Sequence, residues 1–228
     1  MKKRTILPTP TLVFIGPQGS GKGTQAALLA RKYHLLHIEM GELLRSLRHK
    51  KNPRPFEKRV ASVIDRGRLV PSSWVVQIVD ERLQNIAPTR GIIFDGSARR
   101  LREAKALMTT LKRHGRVITH VVYLDITRSE AIKRLTKRWI CVLRHHILTM
   151  GVDIHRPTDR CPRCRSTIRQ REDDTPRFIL KRLATFHRET APVATFFQKR
   201  GLLIRIDGER PIKAVFSDIE KVFRNGPR

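Results

Sequence analysis

Acidic residues are scarce in this chain: 20 Asp and Glu face 48 Lys and Arg, for a formal net charge of +28. Cysteine is rarer still, with three residues, all between positions 141 and 164. An odd number in one cluster does not make a disulfide framework; it suits a reduced compartment and a metal site. Long apolar runs are missing too. None approaches the roughly 20 residues that span a bilayer, and Met1-Lys2-Lys3-Arg4 leads only into the short Ile6-Leu7-Pro8 rather than a signal-peptide core. Internal repeats and low-complexity tracts are absent. The expectation is a soluble, cytoplasmic protein. Its 228 residues, 39% hydrophobic, are enough for one main core with one or two insertions. The excess positive charge belongs on the general surface, where it attracts polyanions.

Glycine, by contrast, is concentrated where it carries meaning. The apolar run Thr11-Leu12-Val13-Phe14-Ile15 is followed by Gly16-Pro17-Gln18-Gly19-Ser20-Gly21-Lys22-Gly23-Thr24-Gln25 and then by the helical pattern Ala26-Ala27-Leu28-Leu29-Ala30. That order reads as strand, glycine-rich loop and helix. Glycines let the backbone form a concave nest of inward-facing N–H groups; the helix N-terminus adds partial positive charge and Lys22 a full one. Such a cradle fits the phosphates of a nucleotide. Relative to the general G-x-x-x-x-G-K-[ST] pattern, Gly23 follows the lysine and the hydroxyl arrives one place later, at Thr24.

Further apolar, β-rich runs recur at Leu35–Ile38, Ile92–Phe94, His120–Leu124 and Leu202–Ile206. Helical periodicity separates them, at Lys22–Tyr33, Gly41–His49, Glu57–Asp65, Ser72–Gln84, Arg100–Lys112, Arg128–Lys137 and Pro211–Phe223. Alternation of this kind predicts a parallel sheet with helices on both faces. One more helical stretch runs from Thr175 to Arg200, and Pro192 is expected to kink or break it. Residues 39–68 and 138–172 fall outside the alternation.

Seven blocks then stand in order. Gly21-Lys22-Gly23-Thr24-Gln25 is followed by Gly41-Glu42-Leu43-Leu44-Arg45, Gly67-Arg68-Leu69-Val70-Pro71 and Asp95-Gly96-Ser97-Ala98-Arg99-Arg100. Arg171-Glu172-Asp173-Asp174 with Arg182-Leu183, Thr190-Ala191-Pro192 and Ile206-Asp207-Gly208 complete the series. From Val13 to Val222 the chain resembles the adenylate kinase family. The resemblance implies an α/β P-loop NTPase fold: a five-stranded parallel sheet with helices on both faces. It divides the chain into a core (1–38, 69–137 and 173–228), a monophosphate-binding insertion at 39–68 and a lid at 138–172. It further implies a monomer that transfers a phosphoryl group, with magnesium, from ATP to a nucleoside monophosphate.

Site residues follow from the same resemblance. ATP would lie on Gly16, Gly19, Ser20, Gly21, Lys22, Gly23 and Thr24, with Arg134, Arg138 and Arg210. The monophosphate would meet Met40, Arg45, Arg68, Leu69, Val70, Gly96, Arg99, Glu103, Arg171 and Arg182. Arg134, Arg138, Arg171 and Arg182 would converge on the transferring group, and Asp95 would orient magnesium through water. The acceptor phosphate is already an oxyanion, so the chemistry needs positioned charge rather than a general base.

Two places depart from the family pattern. The lid has cysteines at the first, third and fourth positions of a zinc knuckle, Cys141, Cys161 and Cys164, but Arg144 at the second; His145 or His146 is left to complete a Cys3His tetrahedron. Alternatively, the knuckle has decayed and its thiols only pack. At the acceptor, Met40 replaces Ser or Thr, Ser97-Ala98 replaces Phe-Pro, and Glu103 replaces a base-reading glutamine. A carboxylate only accepts, which suits guanine's N1–H and N2–H2 better than adenine N1; alternatively Glu103 turns to Arg100 or Arg102. The expected reaction is therefore AMP phosphorylation, with GMP or relaxed choice as one alternative. A nucleotide-gated RNA-binding protein of the same fold is the other.

Overall fold

The computed structural model describes residues 9–47, 50–66, 70–143, 146–171 and 174–225. Five strands form one sheet: β1 (Thr11–Ile15), β2 (Leu36–Glu39), β3 (Ile92–Asp95), β4 (His120–Asp125) and β8 (Leu203–Asp207), in the order β2-β3-β1-β4-β8. Every pairing is parallel. Helices α1 (Lys22–Tyr33), α2 (Met40–Ser46), α3 (Pro55–Asp65), α4 (Ser72–Gln84), α5 (Leu101–Arg113), α6 (Arg128–Thr136), α7 (Pro176–Thr185), α8 (Ala191–Gln198) and α9 (Ile212–Arg224) complete the order.

Strand residues alternate between two cores, as the two-residue repeat of a strand requires. Val13, Ile15, Phe94 and Val121 pack with α4, α5 and α8 residues such as Val79, Leu107 and Phe197. Leu12, Phe14, Val122 and Leu124 face the other way, against Ala26 and Leu29 of α1 and Val215 and Ile219 of α9. With both faces covered, the strands read as continuous apolar runs, which is why the sequence locates them closely. Each fully buried Leu or Phe contributes about 1.5–3 kcal/mol through removal from water.

The long helix predicted over Thr175–Arg200 is three pieces. Between α7 and α8 lies a π turn, Phe186–Thr190, in which the N–H of Ala191 donates to the carbonyl of Phe186. Pro192 follows it in the first turn of α8, where its missing N–H costs nothing. A second sheet, not predicted from periodicity, occupies the 138–172 segment: β5 (Arg138–Cys141), β6 (Ile147–Thr149) and β7 (Ile168–Gln170), antiparallel in the order β6-β5-β7. Among the described residues no helix is long and apolar enough to cross a membrane.

Candidate active site

The site lies at the C-terminal ends of β1 and β3, where the loop after β1 turns into α1. Gly16 has φ +152°, and a Cβ there would sit 2.4 Å from the carbonyl oxygen of Leu124, so only glycine lets the loop pass β4. Lys22, at the start of α1, donates from Nζ to the Pro17 carbonyl at 2.8 Å, with Ser20 Oγ at 3.4 Å. Burial lowers its pKa to about 8; Asp95 opposes the shift, while Arg99, Arg138 and Arg182 add to it. A half-buried ammonium beside a glycine-rich loop is placed to meet an anion.

Asp95 closes β3, in register with Phe14 of β1 and Glu39 of β2. Its Oδ2 is 3.9 Å from His37 Nε2, and a Cβ on Gly23 would approach the same oxygen to 3.4 Å. Burial pushes the carboxyl above its ordinary pKa, with Lys22 pulling the other way. Four residues on, Arg99 lays its guanidinium against Gly96, whose φ is +75°; a Cβ there would be 3.2 Å from Arg99 Nη2. The Arg99 N–H donates to Glu103 Oε2 at 2.9 Å, and its carbonyl accepts from Thr190 Oγ1 at 2.8 Å.

Glu103 itself is 6% exposed. Oε2 also accepts from the Arg100 N–H at 3.2 Å, and Oε1 accepts from Ser72 Oγ at 2.7 Å. The expectation that this carboxylate faces the base is corrected: Oε2 serves the N-terminus of α5, where a third-position Glu satisfies otherwise unpaired N–H groups, and Oε1 is held by Ser72 at the start of α4. Nor does it turn to the neighbouring guanidinium groups, since Arg100 pairs with Glu189 and Arg102 Nε donates to Ser72 Oγ. The Met40 side chain, 1% exposed, and Val70 belong to the main core. The Arg45 side chain and Arg68, Leu69 and His145 lie outside the described residues.

The 138–172 segment and the elements around it supply the remaining cations. Arg138 opens β5 and Arg182 lies on α7; both pair with the buried carboxylate of Asp174. Arg134 on α6 donates to the carbonyls of Gly208 (2.9 Å), Glu209 (3.2 Å) and Gly19 (3.4 Å), tying the phosphate loop to the loop after β8. Arg210 is held by Asp218 and, at 3.9 Å, by Asp207. Arg171 follows β7, half-buried. Asp174, His37 and Thr190 were missed as site residues. Asp174 and Thr190 stand inside blocks quoted from the sequence, but their partners are distant in the chain.

In the 138–172 segment, Cys141, His146, Cys161 and Cys164 hold their ligand atoms within 4.8 Å of one another. The sulfurs of Cys164 and Cys141 are 3.7 Å apart, and His146 Nδ1 is 3.4 Å from Cys161 Sγ. A zinc tetrahedron with bonds of about 2.3 Å to sulfur and 2.0 Å to nitrogen spaces such pairs about 3.8 Å and 3.5 Å apart. The donor set and its spacing fit zinc, with His146 in the fourth place.

The model of the adenylate kinase family matches residues 14–202. The chain belongs to the adenylate kinase family. It is 36% identical over 219 residues to an adenylate kinase of Citrifermentans bemidjiense, covering 93% of this chain and 99% of that one. It is 32% identical over 213 residues to that of Caldanaerobacter subterraneus subsp. tengcongensis (92% and 94%) and 32% identical over 211 residues to that of Archaeoglobus fulgidus (92% and 96%). The chain spans nearly the whole length of these relatives.

Proposed function

We propose that the protein is an ATP:AMP phosphotransferase, moving the γ-phosphoryl group of ATP to AMP to give two ADP, reversibly. The observation that carries this reading is the arrangement of cations: Lys22 stands in the glycine-rich loop, Arg99 lies against Gly96 just past Asp95, and Arg138 and Arg182 are held together on Asp174. Lys22 and the loop N–H groups would hold the donor phosphates. Arg99 would grip the acceptor phosphate with its forked donors, and the arginines of the lid and α7 would neutralise charge spreading over the transferring group. A protein that merely senses ATP has no use for the acceptor-side arginine. The boundaries that fit this division are a core, a monophosphate-binding insertion at 39–68 and a lid at 138–172 that excludes water on closing.

Magnesium bound with ATP supplies further charge neutralisation. Thr24 and, through water, Asp95 would hold it; a carboxylate buried at the start of α1 suits a cation nearby. Zinc on Cys141, His146, Cys161 and Cys164 would be structural, stiffening a lid too small for a core of its own. A coupled assay with ATP against AMP, GMP, CMP and UMP tests the reading. ADP formation with AMP is expected, and protein inert with all four monophosphates would overturn it.

One observation supports an added, non-specific affinity for RNA. Exposed Arg156, Arg160, Arg163 and Arg165 crowd the lid, while the nearby Asp153 and Asp159 are used on the backbone N–H groups of Thr149, His155 and Arg156. Binding of a short RNA should fall linearly with salt on logarithmic axes. A flat dependence would exclude it.

A further inference from the structure

The loop that carries Arg99 is fixed through its backbone. The Arg99 N–H donates to Glu103 and the Arg99 carbonyl accepts from Thr190, so both polar groups of one peptide-linked residue are anchored by side chains from different elements. Glu103 is the busier anchor. Its Oε2 accepts two adjacent N–H groups, at 2.9 Å from Arg99 and 3.2 Å from Arg100, and its Oε1 accepts from Ser72 Oγ at 2.7 Å. Ser72 in turn accepts from Arg102 Nε at 2.9 Å. One buried carboxylate thereby joins the start of α4, the Arg99 loop and the first turn of α5.

We propose that Glu103 is a positioning residue that aims Arg99 at the acceptor phosphate and takes no part in reading the acceptor base. The proposal rests on the phosphotransferase reading above. Turning the carboxylate toward a base would strand two backbone donors beside a buried side chain, a loss that one bond to a base does not offset. Thr190 completes the grip from the π turn, so the guanidinium over Gly96 is aimed by its main chain as well as by its rotamer. A reacting group displaced by about 1 Å loses on the order of a hundredfold in rate. Removal of the anchor is therefore felt in transfer to every monophosphate alike.

The test measures kcat and KM for AMP and GMP on wild type, Glu103→Ala, Glu103→Gln and Thr190→Val, at a temperature where circular dichroism shows each variant folded. Glu103→Ala should lower kcat/KM at least about tenfold for both acceptors, mostly in kcat, with the AMP-to-GMP ratio held within about threefold. Glu103→Gln should recover most of the loss at an unchanged ratio, because its amide oxygen still accepts from Arg99 and its NH2 donates to Ser72. Thr190→Val should lower kcat for both acceptors in the same sense. A ratio shifted by more than about threefold in either Glu103 variant, or a smaller loss in Glu103→Ala than about tenfold, would overturn the proposal. If Glu103→Ala does not fold, the Glu103→Gln ratio and the Thr190→Val loss decide by the same limits. Wild type inert with every monophosphate would overturn the phosphotransferase reading and this proposal with it, whereas active wild type with a shifted ratio overturns this proposal alone.

Discussion

Asp174 holds Arg138 by a two-pronged ion pair, Nε to Oδ2 at 2.7 Å and Nη2 to Oδ1 at 2.6 Å. Arg182 donates to the same Oδ1 at 3.1 Å. One buried carboxylate therefore orients two arginines at once. Asp174→Asn keeps the shape and removes the charge. Turnover should fall about tenfold or more, and the fold should lose about 3–5 kcal/mol, because two partly enclosed cations are left without their counterion. Steady-state kinetics with denaturant unfolding checks both.

Lys22→Ala and Arg99→Ala should each lower kcat by about two to four orders of magnitude, since each supplies charge that matters most as the phosphoryl group transfers. Lys22→Ala should in addition weaken ATP, and Arg99→Ala the acceptor, so a split in KM between the two substrates separates donor from acceptor roles.

The Lys22 ammonium predicts a pH dependence of nucleotide binding. In the nucleotide-free protein its pKa is lowered to about 8 from 10.5, so the group is charged below that point and loses its proton above it. Phosphates favour the charged form, so ATP binding takes up a proton above pH 8, and affinity weakens as pH rises through that value, by at most about tenfold per unit. For the empty fold the sign is opposite. The charged lysine destabilises below pH 8, and the cost is relieved as pH climbs from 8 toward 10.5. Calorimetry in two buffers of different ionisation enthalpy should detect the uptake at about pH 9 and little at about pH 7. Lys22→Arg should abolish it.

Protein purified without chelator should carry about one zinc per chain, and chelation should lower its thermal stability. Cys161→Ser should lose the metal. Zinc-free protein with three freely titrating thiols in the native state would mean that the cluster only packs.

The phosphate loop was legible because its chemistry is written in contiguous residues: a strand, three glycines, a lysine and a helix. Strands were legible because both faces of the sheet are buried, which makes them apolar throughout. The small antiparallel sheet of residues 138–172 was not. Its strands Ile147–Thr149 and Ile168–Gln170 are too short for alternation to register. Glu103 was legible as a departure from the family pattern but not in its role, because the residue at the helix N-cap is Arg100 rather than the Ser or Thr that announces a capping pair. Asp174 escaped because its partner Arg138 lies 36 positions away, and sequence spacing carries no sign of such a contact.

The π turn has one more consequence, which is a matter of phase. A helix advances about 100° per residue, and a turn closed at i+5 holds one residue more than the α-helix around it. Five residues of the wide turn cover about the rotation that four cover in an α-helix, so the spare residue is taken up locally and α8 continues in the phase of α7. Deleting one residue from Phe186–Glu189 would restore even winding and leave both helices on their present faces. Arg182 would stay with Asp174, and the change would fall on the widened backbone that carries the Thr190 hydroxyl to the Arg99 carbonyl.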